Sequence, residues 1–261
     1  MTISKLRFSW LEYYSKNNFF LKIYKFLWGT LFMHSRAVAN YLFKNVFFEK
    51  EDLILDIGSG DGNFSNWIAY FSGCKVKGID KLLQRVELSK KTAKRYNLNN
   101  DFLCFDIEKE KIDFKKNFFD KILIIDTLEH FRNPKRIIKM TAKWLKKGGV
   151  LFISTPTTPQ HRIFLHSHEN KFNYGIDKHH SEGFRKEMLI NWLRKAGFRD
   201  EIKSQYVFYK IYQLGWESSE VIKKCKILYK IIIPFFDFFI FLDKILPIGK
   251  NGNGIIIIAK K

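Results

Sequence analysis

Short apolar runs alternate with amphipathic stretches between residues 50 and 200. Runs of strand length, three of which end in an acid, lie at 52–57, 74–80, 101–106, 119–126 and 147–156. Stretches whose apolar residues recur at helical spacing lie between them, at 63–71, 81–96, 134–145 and 185–196. Strands that alternate with helices in this way predict a largely parallel sheet with helices on both faces.

The flanking segments predict further elements. Apolar residues at helical spacing over 5–45 indicate helices before the first strand, and runs within 201–211 and at 254–259 indicate a sixth and a seventh strand. We expect an N-terminal helical cap, 1–48, followed by one α/β domain, 49–261. Inside that domain, 156–184 is predicted to form a lid and 212–250 an apolar helical insertion before the last strand.

A glycine-dense turn follows the first strand and opens the first helix. Gly58, Gly60 and Gly62 allow the backbone to bend sharply and to approach a ligand where a Cβ would collide. A dinucleotide fingerprint needs its third glycine at the position that Asn63 occupies. The spacing therefore departs from that fingerprint, but it still predicts a small-molecule site.

Acidic residues mark the ends of the next strands. Asp80 ends the second strand, where a carboxylate can accept hydrogen bonds from both hydroxyls of a ribose. Asp106 ends the third strand with Ile107 beside it, and Asp126 ends the fourth. The carboxyl ends of parallel strands meet at one edge of a sheet, which is where open α/β sheets bind ligands.

Three motifs together resemble the Rossmann-like S-adenosyl-L-methionine (SAM)-dependent methyltransferases over about residues 50–200. They are D-x-G-x-G-x-G at 56–62, F-D-x-I-x-x-x-D-x-L-E-H-F at 119–131, and H-H-x-x-G-F-x-x-E-x-L-x-x-W-L-x-x-A-G-F at 179–198. The second resembles the small-molecule enzymes of this family, including the ubiquinone-pathway O-methyltransferases. The resemblance implies a doubly wound, seven-stranded, mostly parallel sheet whose last strand is antiparallel. It also implies SAM as cofactor and S-adenosyl-L-homocysteine as product.

The same resemblance implies roles for individual residues. Asp56 would hold the ammonium side of SAM, Asp80 its ribose and Asp106 its adenine amino group, with Ile107 packing on the ring. The remaining predicted cofactor contacts are Arg36, which would pair with the SAM carboxylate, and Gly58, Ser59, Gly60, Gly62, Lys81 and Asp126.

The predicted acceptor lid is rich in histidine. Five of the seven histidines lie in it: His161, His166, His168, His179 and His180. In one interpretation, His130, His179 or His180 removes a proton from an acceptor hydroxyl, since imidazole titrates near neutrality. In a less favoured one, Asp126, Glu129, His130 and a lid histidine hold a divalent cation, because D-x-x-E-H resembles the E-x-x-E-H of metal-dependent relatives. In a third, these are ordinary surface histidines.

Charge and sequence context narrow the acceptor. The net charge is +20, but the basic residues are scattered singly and Lys outnumbers Arg, whereas bidentate phosphate or base recognition prefers Arg. The D/N-P-P-Y/F motif of base-amine methyltransferases is replaced by Asp126-Thr127-Leu128-Glu129. We therefore expect no DNA partner and disfavour RNA.

The predicted activity is methyl transfer to an oxygen, or less favourably a nitrogen, of a small polar or anionic acceptor such as a glycan precursor or a phosphate-bearing metabolite. The alternatives are an RNA or protein methyltransferase, and a SAM-fold binding protein without catalysis.

The remaining features concern location. The three cysteines are isolated and no secretion signal is visible, so the expected location is the cytoplasm. The segment 218–247 is very apolar but too interrupted by Lys230, Pro234, Asp237 and Asp243 to span a bilayer. Buried helices or a dimer face are favoured for it, and peripheral membrane contact is the alternative. The chain is expected to be a monomer or a homodimer.

Overall fold

The computed structural model describes residues 33–112, 114–161, 163, 173–174, 177–222, 225, 235 and 238–261. Most of the helices predicted over 5–45 lie outside the described residues, as do His166, His168 and much of 223–237. The described parts of 46–158, 171–205 and 255–261 form one compact unit, here called the sheet unit. The described parts of 1–45, 159–170 and 206–254 form a second, here called the helical unit.

A seven-stranded sheet organises the sheet unit, in the order β3-β2-β1-β4-β5-β9-β8. Its strands are β1 (Leu53–Ile57), β2 (Lys75–Asp80), β3 (Asp101–Cys104), β4 (Phe119–Ile125), β5 (Leu145–Pro156), β8 (Ile202–Val207) and β9 (Gly254–Lys260). Six strands are parallel and the last, β9, is antiparallel, so the predicted fold class is confirmed. The predicted sixth and seventh strands are β8 and β9, because a two-stranded hairpin, β6 (Asn173–Tyr174) with β7 (Asp177–Lys178), precedes them.

The central strands are buried on both faces. β1 pairs with β2 in register from Leu53–Lys75 to Ile57–Ile79, and with β4 from Ile54–Lys121 to Ile57–Ile124. Nearly continuous Ile and Leu runs suit strands that are covered on both sides. The parallel pairing brings the ends of β1, β2 and β4 to one edge of the sheet, which is where the site is built.

Helices connect the strands of the sheet unit. They are α2 (Asn63–Ser72), α3 (Leu83–Arg95), α4 (Pro134–Trp144) and α5 (Lys186–Ala196). Pro134 occupies the first turn of α4, where a missing N–H costs little, and the Asn133 side chain accepts from the N–H of Arg136. Gly73 and Gly197 close α2 and α5 in left-handed conformations.

Two predicted boundaries were wrong. The helix predicted to run through residue 145 ends at Trp144, and β5 begins directly at Leu145. The early start of β5 follows from the pairing of Leu145 with Phe119 of β4, which a register shift separates from the pairs that begin at Lys121 and Val150. β3 is also shorter than predicted, since it ends at Cys104, and Asp106 therefore lies in the turn after the strand.

The helical unit contains α1 (Met33–Asn45), α6 (Lys210–Ile222) and a helix at 238–245, here called α7. Asp243 of α7 is buried and accepts from the backbone N–H groups of Tyr209 and Tyr212, at the start of α6. Nδ1 of His34 in α1 lies 2.9 Å from the hydroxyl oxygen of Tyr212. None of the described helices is long and apolar enough to cross a bilayer.

Candidate active site

A cavity of about 620 Å³ opens at the carboxyl edge of the parallel strands in the sheet unit. This volume lies within the range of about 300–1,000 Å³ that is usual for small-molecule sites. Its walls come largely from the turns after β1, β2, β3 and β4, and its lining includes Gly58, Asp80, Lys81, Asp106, Ile107, Asp126, Thr127, His130, Arg132 and His180. The strand ends that the sequence predicted to bind a ligand therefore surround one cavity.

The first wall is the glycine turn after β1. Gly58 has a φ of +72°, and a Cβ built on it would lie 2.1 Å from Cγ2 of Thr127. The N–H groups of Gly58 and Ser59 both donate to the carbonyl of Ile79 in β2, at 2.8 and 3.0 Å. The turn is thus held between β2 and Thr127, at a distance that only glycine permits at position 58.

Asp80 ties two turns together beside this wall. One carboxylate oxygen accepts from the N–H of Gly60 and the other from the N–H of Leu82, both at 2.9 Å. A carboxylate oxygen has a second lone pair, so Asp80 can still accept hydrogen bonds from a ligand in the cavity. Its predicted role toward a ribose is compatible with this geometry and stays a prediction.

Asp56 lies beneath the glycine turn and not on the cavity wall. Its carboxylate is buried and accepts a hydrogen bond of 2.6 Å from the hydroxyl of Ser65 in α2. Burial raises the pKa of Asp56 to about 7, and repulsion from Asp80 adds to the rise, while the Ser65 hydrogen bond opposes it. The predicted contact between Asp56 and an ammonium group stays a prediction.

The turn after β3 supplies the opposite end of the cavity. Asp106 and Ile107 line it, and an oxygen of Asp106 lies 3.4 Å from the Nζ of Lys109. Ile107 is buried, so it offers an apolar surface against which a planar ring can pack. The predicted contacts of Asp106 and Ile107 with an adenine are compatible with this geometry and stay predictions.

The turn after β4 carries two acids, Asp126 and Glu129, and His130. Asp126 adopts a positive φ of 46° and accepts from the Ser154 hydroxyl at 2.8 Å. Leu128–His130 form a short 3-10 helix, in which Glu129 is buried and accepts from the Thr155 hydroxyl at 3.0 Å. Burial raises the pKa of Glu129 well above its usual range, and the charge of Asp126 raises it further. Asp126 and Glu129 thus lie in the same turn, but their carboxyl groups are in different environments.

The histidines meet at this turn. The rings of His130 and His179 lie 4.4 Å apart, edge to face, and His180 lines the cavity with His130. The backbone N–H groups of His180 and Ser181 both donate to the carbonyl of Glu129, at 2.9 and 3.1 Å. The end of the predicted lid is therefore fastened to the turn that carries His130.

A model of the methyltransferase domain family matches residues 32–201, a span that holds the whole cavity. The chain belongs to the SAM-dependent methyltransferases.

Individual relatives of this methyltransferase act on different atoms. It is 29% identical to the sterol 24-C-methyltransferase of Saccharomyces cerevisiae over 207 residues, which cover 71% of this chain and 52% of the relative. It is 37% identical to the ubiquinone biosynthesis O-methyltransferase of Coxiella burnetii over 102 residues, which cover 39% of this chain and 42% of the relative. The chain thus spans about half the length of the curated relatives it matches.

A solved structure shows the same fold. The phosphoethanolamine N-methyltransferase 2 of Haemonchus contortus, in complex with SAM, superposes with a TM-score of 0.62 at 19% identity, over 87% of this chain and 52% of that one. SAM is the cofactor of the family, and the residues of this methyltransferase fit it. Gly58 admits close approach of a ligand to the backbone, and Asp80 presents a carboxylate to the cavity. The hydroxyl of Ser59 is buried and makes no hydrogen bond to any residue that the structure describes.

Other predicted residues lie off the cavity wall. Gly60 and Gly62 shape the turn behind it, and a Cβ on Gly62 would lie 2.7 Å from Ser89. Arg36 is buried in α1 of the helical unit, and its predicted role stays a prediction. His161 is exposed, and its backbone N–H and C=O bond to the Asn253 side chain.

Sequence reasoning missed several residues of the methyltransferase site. Thr127 closes against Gly58, while Ser154 and Thr155 bond to the acids of the β4 turn. Arg132 and Arg136 line the cavity beside His130. The available signal for Arg132 was its position two residues after the D-x-x-E-H motif, in a turn already predicted to face the ligand, whereas Arg136 lies in the first turn of α4.

Proposed function

We propose that this methyltransferase moves the methyl group of SAM to an oxygen of a small polar or anionic acceptor. When bound, SAM supplies the electrophilic methyl group. The observation that carries the proposal is that one cavity joins the glycine turn and Asp80 to His130 and His180. A cofactor wall and a group able to accept a proton therefore face the same space.

In this proposal, His130 accepts the proton of the acceptor hydroxyl. Its backbone N–H donates to the carbonyl of Thr127 at 3.0 Å, which fixes the residue at the cavity wall. The neighbouring ring of His179 restricts the orientation of the His130 ring. A positioned base contributes about 10²–10⁴ in rate, so most of the acceleration comes from alignment in a site closed to water.

Two arginines at the cavity wall near His130 favour an anionic acceptor. Arg132 is exposed at the wall and makes no ion pair with any described residue, while Nη1 of Arg136 is held by the carbonyl of Glu108 at 3.1 Å. Arginine forks bind carboxylate and phosphate groups in two parallel hydrogen bonds. A carboxylate or phosphate next to the reacting hydroxyl would be held near His130.

The first experiment is calorimetric titration of the chain with SAM, followed by measurement of S-adenosyl-L-homocysteine release with a panel of acceptors. The panel contains small phenols and polyols with and without a phosphate or carboxylate, together with total RNA and an unfolded protein. Turnover of anionic small molecules that drops sharply in Arg132→Gln supports the proposal. Turnover of RNA or protein alone overturns it, and absence of SAM binding removes the enzymatic reading altogether.

A divalent cation is the second candidate for activating the acceptor. Glu129, His130 and His179 each offer a ligand atom, and these atoms lie within 4.8 Å of one another. One carboxylate and two imidazoles form a donor set that binds Zn²⁺ and other transition metals.

Activity after chelation separates the two candidates. The base proposal expects full activity in a chelator, loss of activity in His130→Ala, and normal activity in the control His161→Ala. Activity that disappears in the chelator and returns with added Zn²⁺, Mn²⁺ or Mg²⁺ would contradict the base proposal and assign activation of the acceptor to the cation.

A further inference from the structure

The outer side of α7 exposes an uninterrupted row of large apolar side chains. Phe238, Phe241 and Ile245 recur at i, i+3 and i+7, so they lie on one face of the helix. With the neighbouring apolar residues they form what is here called the apolar face: Phe235, Phe238, Phe241, Ile245, Leu246 and Ile248. Each member is between 52% and 67% exposed. Soluble monomers rarely present so many large apolar groups together without a function.

The opposite side of α7 accounts for its attachment to the helical unit. Ile240 and Asp243 are buried, and a Cβ on Gly215 of α6 would lie 2.6 Å from the ring of Phe239. Asp243 also caps the start of α6 through two backbone N–H groups. α7 is therefore anchored by one side, and the apolar face is not needed for that anchoring.

Among the described side chains of the helical unit, the exposed charges have one sign. They are all lysines: Lys44, Lys210, Lys244 and Lys250. The acids of this set, Glu217 and Asp243, are buried. An exposed apolar row flanked by lysines, on a helix too short to span a bilayer, is typical of helices that lie in a membrane interface.

We propose that the apolar face docks on an anionic lipid surface, with its phenylalanines at the level of the headgroups and Lys250 against the lipid phosphates. A second copy of the chain is a poorer occupant, because a symmetric contact would bring the same lysines together. An anionic bilayer satisfies both features at once, since it accepts apolar side chains and attracts cations.

Vesicle co-sedimentation with the full chain tests the proposal. Neutral phosphatidylcholine vesicles are compared with vesicles that contain about 30% phosphatidylglycerol, a fraction that gives an anionic surface. We expect at least tenfold tighter partition to the anionic vesicles. The double variant F238S/F241S should lose at least tenfold in partition, because each phenylalanine contributes burial of a large apolar surface.

Matched control variants distinguish binding through the apolar face from nonspecific hydrophobic adsorption and from nonspecific attraction of basic residues. Phe47→Ser removes a 79% exposed phenylalanine from the sheet unit and should leave partition unchanged. Lys250→Glu should weaken partition to anionic vesicles several-fold with little change for neutral ones, whereas Lys116→Glu in the sheet unit should do so much less. SAM affinity and thermal unfolding of each variant verify that it is folded. If F238S/F241S does not fold, the proposal is tested by comparing the partition of Lys250→Glu and Lys116→Glu to anionic vesicles.

Two results would overturn the proposal. In one, F238S/F241S binds anionic vesicles as tightly as the natural chain. In the other, the natural chain ignores vesicles and forms a dimer in analytical ultracentrifugation that F238S/F241S dissociates, which would assign the apolar face to a second copy.

Discussion

Alanine at Gly58 should be far more damaging than alanine at Gly60, although both glycines have positive φ angles. At Gly60, with φ +54°, a Cβ meets no atom within 4 Å, so the change carries only the left-handed backbone cost of about 1–2 kcal/mol. At Gly58 the same cost applies, and a Cβ also lies 2.1 Å from Cγ2 and 2.5 Å from Oγ1 of Thr127. The comparison therefore isolates the contact between the glycine turn and Thr127.

The additional cost at Gly58 follows from what Thr127 must give up. Its hydroxyl donates to the carbonyl of Ile125 at 2.8 Å, and moving the side chain breaks this hydrogen bond, worth about 1 kcal/mol. Forcing extra volume into a packed position adds about 1–3 kcal/mol. We expect Gly58→Ala to lower the free energy of unfolding by about 3–6 kcal/mol in total, against about 1–2 kcal/mol for Gly60→Ala.

Urea denaturation followed by circular dichroism measures both values, and calorimetry measures SAM affinity. Because Gly58 lines the cavity and Gly60 does not, SAM binding should weaken at least about tenfold in Gly58→Ala only. Equal destabilisation by the two variants, or unchanged SAM affinity in Gly58→Ala, would refute the reasoning that the turn must be bare at position 58.

Three further perturbations probe the acids around the cavity. Asp80→Asn should weaken SAM binding by about 10- to 100-fold in calorimetry, because hydrogen bonds to a charged acceptor contribute about 1.5–3 kcal/mol; unchanged affinity would place the ribose elsewhere. Asp56 binds its proton more tightly when folded, so its contribution to stability is full below its unfolded pKa of 3.8 and is lost as pH rises to about 7. From pH 4 to pH 8, the free energy of unfolding of Asp56→Asn, measured by urea denaturation, should therefore rise by up to about 4 kcal/mol relative to that of the natural chain. Parallel pH profiles of the two proteins would contradict this. Ser154→Ala should lower the free energy of unfolding by about 1–2 kcal/mol, since it removes the hydroxyl that donates to Asp126; no loss in denaturation would show that Asp126 needs no such support.

The strands and the cofactor wall were predictable because local patterns determine them. Ile- and Leu-rich runs predict β1 and β4, and the glycine spacing predicts the turn between β1 and α2. The antiparallel last strand, β9, was also predicted correctly, from a run of four isoleucines at 255–258 together with the family resemblance.

The contacts that shape the site depend on residues distant in sequence, which no local pattern reveals. Thr127 opposes Gly58 across 69 residues, and Thr155 reaches Glu129 across 26. The pKa of Glu129 is raised first by its burial, which no local pattern reveals, and then by the charge of Asp126 in the same motif, while the hydrogen bond from Thr155 opposes the rise. The extension of β5 to Leu145 likewise depends on its pairing with Phe119 in β4, which the pattern around residue 145 does not reveal.

The backbone amides of His180 and Ser181 both donate to the carbonyl oxygen of Glu129. Hydrogen exchange at these two amides therefore reports on access to the cavity. Any outward swing of the chain at 180–181 has to release both N–H groups to solvent and simultaneously free the peptide that precedes His130. Deuterium uptake at these two amides would therefore rise and fall together with exchange of small molecules through the opening. If an acceptor slows deuterium uptake at these amides more than SAM alone does, uptake measured with each reactant in turn would report the order in which the two bind, without an activity assay.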